Sequence, residues 1–155
     1  MVAREDYDGT HFSATYKEMP NGEERWRIKP VGLLVHSLHI SRAMNQSWQK
    51  PHFHPGLTES YLVCSGRLIF VSWNAALDDI TTGEMQANDG IFMFLPQYRH
   101  NIFTTAETEF MTWQQGTLTP NPERNGQDWW PVTAVPLRIQ TLMDELTIRL
   151  WSQSY

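Results

Sequence analysis

The run over residues 51–66 decides the fold, and it reads Pro51-His52-Phe53-His54-Pro55-Gly56-Leu57-Thr58-Glu59-Ser60-Tyr61-Leu62-Val63-Cys64-Ser65-Gly66. Side chains alternate along a strand, so His52 and His54 are expected on the same side. Glu59 follows a short turn, from which its carboxylate can reach that side. Two neutral imidazoles and one anionic oxygen suit Fe, Mn, Ni, Cu or Zn. A fourth ligand is available at His100, just after a second strand-like run over 90–96.

The spacing of these residues resembles the two sequence motifs of the cupin superfamily. The first motif reads His-x-His, three or four residues, Glu, six residues, Gly, and its matches here are His52, His54, Glu59 and Gly66. The second motif is matched by Gly90, Pro96, His100 and Asn101. The resemblance covers roughly residues 31–115. It implies a small, single-domain, metal-binding cupin in which His52, His54, Glu59 and His100 hold one divalent transition metal.

Two positions depart from the motifs. Gln46 stands where the first motif usually has a Gly, six residues before its first His. In the second motif, Tyr98 stands where a Gly usually follows the Pro by two residues, and His100 comes one residue early. The second departure concerns the hairpin geometry before His100.

Composition excludes several classes of protein. The chain has 155 residues, which is the usual size of one domain, and its net charge is −5. Its 12 Lys and Arg residues form no basic run, which argues against nucleic-acid binding, and no apolar run approaches the roughly 20 residues of a membrane span. The polar, acidic start is not typical of a signal peptide, and a single cysteine excludes an internal disulfide framework. We therefore expect a soluble cytoplasmic protein with neither a nucleic-acid nor a membrane partner.

The hydrophobic pattern predicts an all-β fold, a cupin-like (double-stranded β-helix) barrel with one C-terminal α-helix. Short strand-like runs are separated by Gly and Asn turn signals. Residues 1–30 are expected to form an N-terminal arm with strands, 31–118 the barrel core, and 119–155 a loop and helix. Within the core, residues 75–89 are predicted to link the two motif hairpins, with a turn at Thr82-Gly83.

The C-terminal segment carries a helical stripe. Its apolar residues recur in steps of three and four, which is the helical period, at Ile139, Leu142, Met143, Leu146 and Leu150. We expect the stripe to pack on the barrel or on the partner subunit of a homodimer. Asp128-Trp129-Trp130, just before it, is interpreted either as a lid over the barrel mouth or as part of a dimer interface.

Strand alternation predicts what surrounds the metal. If Glu59 points inward, so does Tyr61, which could donate a hydrogen bond or transfer a proton, or could simply satisfy its hydroxyl on the backbone. Glu59 has a rival role as a free general base beside the metal. His36 and His39 fall on opposite faces of a strand, so at most one faces the cavity. The candidate substrate-pocket residues are His36, Tyr98, Phe92, Phe94 and Ile102.

These expectations lead to three functional hypotheses for a small-molecule substrate. The pocket is expected to be mostly apolar, with no cluster of Arg or Lys near the motifs, which fits a small organic substrate better than a sugar phosphate. A metal-dependent, O₂-using oxidoreductase of the dioxygenase type is placed first. A metal-dependent isomerase, epimerase or lyase is the second hypothesis, with Glu59 and Tyr61 as the catalytic candidates beside the metal. A non-catalytic small-molecule-binding cupin is the third.

Overall fold

Most of the chain is β-strand, as the sequence predicts. The computed structural model describes residues 12–30 and 35–152. Its strands are β1 (Phe12–Glu18), β2 (Glu23–Pro30), β3 (Val35–Ala43), β4 (Ser47–Trp48), β5 (His52–Phe53), β6 (Leu57–Ser65), β7 (Arg67–Trp73), β8 (Ile80–Gln86), β9 (Ile91–Phe94), β10 (Arg99–Thr104), β11 (Glu109–Gly116) and β12 (Trp130–Pro131). A short 3₁₀ turn spans Pro122–Arg124, and one α-helix, α1, spans Leu137–Ser152.

The strands pair antiparallel into two sheets. The first sheet has the order β1-β2-β3-β11-β6-β9, and the second has the order β12-β5-β10-β7-β8, with β4 also paired to β10. Residues from both sheets meet in one core, which contains Tyr61, Val63, Leu68, Phe70, Met85, Phe94, Ile102 and Phe110. The predicted all-β fold with a C-terminal helix is confirmed. Among the described residues, two facing sheets form it rather than one continuously hydrogen-bonded barrel.

Helix α1 covers the outer face of the second sheet. Along β7, Leu68 and Phe70 point into the core, so the alternate residues Ile69, Val71 and Trp73 point the other way. Ile139 and Met143 of the helix pack with Val71 and Trp73, and Leu150 packs with Ile69. Three residues of the predicted stripe, Ile139, Met143 and Leu150, are therefore buried against the protein's own sheet, and Leu146 packs there partly buried.

Strand β8 replaces the turn that the sequence predicts at Thr82-Gly83. Gly83 lies inside β8, and a Cβ atom added there would come within 2.7 Å of the ring of Phe70. The glycine thus makes room for an aromatic ring of the neighbouring strand, a role that glycine has inside sheets.

The outer face of the first sheet carries two rows across five strands that are apolar except at Ser60. One row is Trp26, Ile40, Met111, Leu62 and Ile91, and the next is Ile28, Leu38, Trp113, Ser60 and Met93. Ile91 and Met93 are 59% and 56% exposed. A charged row of Glu24, Arg42 and Glu109 borders them. This face therefore presents apolar surface to solvent, whereas α1 covers the equivalent face of the second sheet.

No helix among the described residues has the length and apolar character needed to cross a bilayer.

Candidate metal centre

Four side chains from both sheets converge at one end of the core. His52 lies on β5, His54 directly follows β5, Glu59 lies on β6 and His100 lies on β10. One ligand atom of each lies within 4.8 Å of those of the other three, and all four residues are buried. The Oε2 atom of Glu59 is 3.0 Å from Nε2 of His100 and 3.5 Å from Nε2 of both His52 and His54. The structure thus brings together the residues that the motif spacing singled out.

The sheet register fixes the positions of these side chains. His52 is the cross-strand partner of His100, so their imidazoles share one face. His54 is followed by a tight turn in which a Cβ atom at Gly56 would come within 2.2 Å of the carbonyl oxygen of Thr117. The chain can make this close approach only with glycine, and the turn then starts β6, which carries Glu59.

All three imidazoles are oriented by backbone carbonyl groups. Nδ1 of His52 is 2.9 Å from the carbonyl oxygen of Lys50, and Nδ1 of His100 is 3.3 Å from that of Tyr98. Nδ1 of His54 contacts the carbonyl oxygen of Asp128. Because a carbonyl only accepts, each Nδ1 donates a proton to it, and each Nε2 points to Glu59 at the centre of the cluster, where its unprotonated form can bind a metal. Outer contacts of this kind are typical of metal-binding histidines.

The charges of the cluster also suit a cation. Burial alone would raise the pKa of Glu59, but the charge of His54 and hydrogen bonds from the three imidazoles lower it well below its ordinary value. Burial and the charge of His100 lower the pKa of His52 to about 4. Burial would also lower the pKa of His54, but Glu59 and the Asp128 carbonyl raise it overall. An ionised carboxylate and imidazole nitrogens fit a divalent Fe, Mn, Ni, Cu or Zn ion.

Two further side chains hold Glu59 in place. The hydroxyl of Tyr61 donates to Oε2 of Glu59 at 3.1 Å, rather than to the backbone. The amide of Gln114 donates to Oε1 of Glu59 at 3.0 Å, and its nitrogen is 3.4 Å from Nε2 of His54. Sequence reasoning missed Gln114, because it lies on β11 outside both motifs. Only the pairing of β11 with β6 places it opposite Glu59.

Aromatic rings and the segment before α1 enclose the cluster. The ring of Phe94 lies 4.2 Å from that of His100 at an interplanar angle of 2°, and the ring of Trp129 stacks on His52 at 5.3 Å. Asp128 is buried behind His54, with Oδ1 3.9 Å from Nδ1. Trp130 pairs with Phe53 through β12 and β5. The segment 128–130 therefore lies against the ligand residues of its own chain.

The candidate pocket residues divide into two groups. Phe92, Phe94 and Ile102 belong to or pack on the core cluster next to the candidate ligands, and their contact with a substrate stays a prediction. The side chain of Tyr98 instead donates to Asp79 at 2.5 Å, so at the ligand cluster this residue provides only its carbonyl oxygen.

His36 lies outside the ligand cluster, and its contact with a substrate stays a prediction. It is the extra residue at an irregularity in the β3–β11 pairing, where Ser37 pairs with Gln114 and Val35 pairs with Gln115. Its Nε2 atom is 2.5 Å from the carbonyl oxygen of Gly116. His39 is the histidine of β3 that points inward, and it is 6% exposed.

Two arginines that lie far from the motifs in sequence reach the inner face of the first sheet. In the first sheet, Arg27 is the cross-strand partner of His39, and Arg25 is the partner of Ser41. The inner face of this sheet is consequently polar and cationic on β2 and β3 and apolar on β6 and β9. No local sequence pattern links these arginines to the site, because they lie at least 25 residues before the first motif.

The departure in the second motif has a local explanation. Gln97 adopts a left-handed conformation with φ of 72°, and it lies three residues before His100. Glycine favours this conformation, and the motif usually places a glycine three residues before its His. Gln97 therefore adopts the left-handed conformation that the glycine of the motif usually has, and His100 still reaches the cluster.

Comparisons with known proteins identify the fold. No protein-family model and no curated protein matches the chain. Among solved structures, the capsular polysaccharide assembling protein CapF of Staphylococcus aureus has a TM-score of 0.64 and 14% identity over 78% of this chain and 34% of its own. Oxalate decarboxylase of Lactobacillus farciminis, solved as a formate complex, has a TM-score of 0.61 and 14% identity over 85% of this chain and 39% of its own.

The cupin domain of Drosophila melanogaster CENP-C has a TM-score of 0.57 and 9% identity, over 74% of this chain and 82% of that domain. The chain thus spans about a third of the length of CapF but most of the length of a single cupin domain. These likenesses show that the chain has the cupin fold.

Proposed function

We propose that this protein is a metal-dependent oxidoreductase of the dioxygenase type that acts on a small organic molecule. The observation that carries the proposal is the buried convergence of three imidazole Nε2 atoms on Glu59, each imidazole being oriented through its Nδ1 atom. His52, His54, Glu59 and His100 would hold one divalent transition metal. Such a metal supplies Lewis acidity and, where it is redox-active, a centre for O₂ chemistry.

Glu59 acts as a ligand in this proposal rather than as a free base. Both of its carboxylate oxygens accept hydrogen bonds, from Tyr61 and Gln114, and its low pKa keeps it ionised. Tyr61 is 2% exposed, and burial followed by the charge of Glu59 raises its pKa well above 10. Its hydroxyl therefore stays protonated near neutral pH and orients Glu59 as a hydrogen-bond donor.

The alternative of an isomerase or lyase that moves a proton is less well supported. Such an enzyme works best with a general base whose pKa lies near the working pH. Burial, with Arg25 and Arg27 nearby, lowers the pKa of His39 to about 3, which makes it a weak base. Of the other groups near the cluster, Tyr61 stays protonated, Gln114 does not titrate, and Oδ2 of Asp128 accepts from the backbone N–H of Thr119. This arrangement favours chemistry in which the metal centre, rather than a protein base, activates the reactants.

Apolar side chains around the ligand cluster support the same proposal. Phe94 and Trp129 stack on two of the ligand imidazoles, and Ile102 and Phe110 fill the core beside Tyr61. A site enclosed by such residues excludes bulk water, which strengthens electrostatic interactions and suppresses side reactions.

The metal site is tested by comparing two histidine variants. His54→Ala should reduce the bound metal from about one ion per chain to nearly none after reconstitution with Fe²⁺, Mn²⁺ or Zn²⁺, because it removes one of four ligands. His36→Ala is the matched control, since His36 lies outside the cluster, and it should retain the metal. Elemental analysis beside a thermal melt separates metal loss from unfolding. Unchanged occupancy in His54→Ala, or a wild-type protein that binds no metal, would contradict the proposal.

The reaction class is tested by turnover with and without O₂. Anaerobically reconstituted protein, loaded in turn with Fe²⁺, Mn²⁺, Ni²⁺ or Cu²⁺, is mixed with candidate organic substrates while dissolved O₂ and substrate are followed. We expect O₂ uptake that matches substrate loss. Substrate conversion at the same rate without O₂ would instead favour the isomerase or lyase, and ligand binding without conversion would favour the non-catalytic cupin.

A further inference from the structure

We infer that Arg27, together with His39 and Ser41, forms a carboxylate-binding subsite beside the metal cluster, so that the substrate is a small organic acid. The inference rests on the proposed function and names the substrate class of that site. It concerns residues of β2 and β3 that neither motif contains.

The sheet register places these residues on the same face as the metal ligand Glu59. Arg27 pairs with His39, His39 pairs with Thr112, and Thr112 pairs with Tyr61, whose hydroxyl contacts Glu59. Neighbouring strands are about 4.8 Å apart, so the backbones of His39 and Tyr61 are separated by about 10 Å. In the inferred complex, a molecule a few carbon atoms long would reach from Arg27 to the ligand cluster.

A carboxylate neutralises the charge of Arg25, whereas Arg27 has no such partner among the described residues. Arg25 donates to Oε1 of Glu23 through Nε at 2.9 Å and Nη2 at 2.7 Å, and Gln49 donates to the other carboxylate oxygen at 2.9 Å. Glu23 is 1% exposed, so this pair is internally neutralised. Arg27 has no carboxylate within ion-pair distance in the described part of the chain. Burial, followed by the charge of Arg25, lowers the pKa of Arg27, which is the behaviour of a cation without an anionic partner.

The free hydrogen-bonding groups around Arg27 are donors. Its Nε donates to Nε2 of His39 at 3.1 Å. Neither terminal nitrogen of the guanidinium has a hydrogen-bond partner among the described residues, so both can bind a ligand. Because Nε2 of His39 accepts, the proton lies on Nδ1, which has no partner among residues 12–30 and 35–152. The hydroxyl of Ser41 also lacks a hydrogen-bond partner there, although this residue is only 1% exposed. An unpartnered buried hydroxyl is costly, and a ligand oxygen would satisfy it.

A carboxylate fits this set of groups better than a phosphate. It carries one negative charge and two acceptor oxygens in the planar arrangement that a guanidinium binds with two parallel hydrogen bonds. One unbalanced arginine matches that single charge. A phosphate monoester carries about −1.5 to −2 at neutral pH and would leave charge uncompensated.

The test measures the binding of dicarboxylates to Co²⁺-reconstituted protein by calorimetry. Oxalate, malonate, succinate and glutarate are titrated, with the neutral diamide of succinate as the matched ligand control. We expect at least one dicarboxylate to bind and the diamide not to bind. Arg27→Gln should weaken that binding about 10- to 100-fold, as expected for the loss of a charged hydrogen-bonded pair. Arg27→Lys should restore part of it.

Two further variants make the result specific. Arg42→Gln is the matched control, because Arg42 lies on the outer face of the same sheet and pairs with Glu109. It should leave dicarboxylate binding unchanged. Ser41→Ala removes a hydroxyl that has no partner in the described residues, so it should leave the melting temperature nearly unchanged while weakening binding several-fold. This second variant keeps the test decisive if Arg27→Gln does not fold.

The outcomes separate this inference from the proposed function. If Co²⁺ binds but no dicarboxylate does, or if Arg27→Gln and Ser41→Ala bind it as tightly as the wild-type protein, the subsite is refuted and the metal site stands. If the protein binds no Co²⁺ yet loses dicarboxylate binding in Arg27→Gln, the proposed function is refuted and the subsite stands.

Discussion

Replacing Tyr61 with phenylalanine should weaken metal binding without disturbing the fold. The ring of Tyr61 packs against Phe94 and Phe110, with centroids 5.5 and 6.1 Å away, and phenylalanine keeps both contacts. The variant removes only the hydroxyl, which donates to Glu59 at 3.1 Å inside the core. The expected effect is therefore confined to how firmly the carboxylate is held.

The magnitude follows from that single hydrogen bond. A hydrogen bond to a charged group contributes about 1.5 to 3 kcal/mol, and each 1.4 kcal/mol changes a dissociation constant tenfold. Part of the bond's energy is present before the metal binds, so we expect the lower end, about a tenfold rise in the dissociation constant for Zn²⁺. Loss of an outer contact to a metal ligand typically costs 10- to 100-fold in affinity, which agrees with this value.

The assay is a competition titration of Zn²⁺ between the protein and a fluorescent chelator. Tyr98→Phe is the matched control, because it removes the same atom from a hydroxyl that donates to Asp79 instead. Its affinity for Zn²⁺ should equal that of the wild-type protein. A Tyr61→Phe variant whose dissociation constant stays within about twofold of the wild-type value would refute the reasoning that Tyr61 orients Glu59.

Two further predictions address the turn before the last ligand and the uncovered sheet face. Gln97→Gly should raise the free energy of unfolding by about 1 kcal/mol, because it relieves a left-handed residue with φ of 72°. Gln115→Gly, within β11, is the control and should lower the free energy of unfolding. Denaturant titration measures both, and a Gln97→Gly variant less stable than the wild-type protein would contradict the claim that Gln97 is strained. We propose that a second copy of this chain covers the apolar outer face of the first sheet, since an apolar face bordered by charged residues can pair with its own copy about a two-fold axis. Met93→Asp should then convert a dimer to a monomer in light scattering, while Ile148→Asp on α1 should not, and a monomeric wild-type protein at micromolar concentration would contradict this.

The features that could be predicted from the sequence are those set by local geometry. His52 and His54 share a side because strands alternate, and Glu59 follows within one turn, so their spacing alone indicated a ligand set. The stripe from Ile139 to Leu150 indicated a helix with one buried face for the same kind of reason, since its period is that of the helix itself. These patterns depend on neighbours within about ten residues, which is the range over which sequence periodicity carries information.

The pairing register between distant strands decided which other side chains face the candidate site. Gln114 reaches Glu59, and Arg27 reaches His39, only because β2, β3, β11 and β6 pair in that order with those partners. A shift of one residue in strand pairing would turn every side chain to the other face, and no local pattern fixes it. The sequence by itself thus indicated His52, His54 and Glu59 as candidate ligands and α1 as a helix, and the family resemblance added His100. The tertiary structure decided which cations share their face, because that choice depends on hydrogen bonds between strands far apart in the chain.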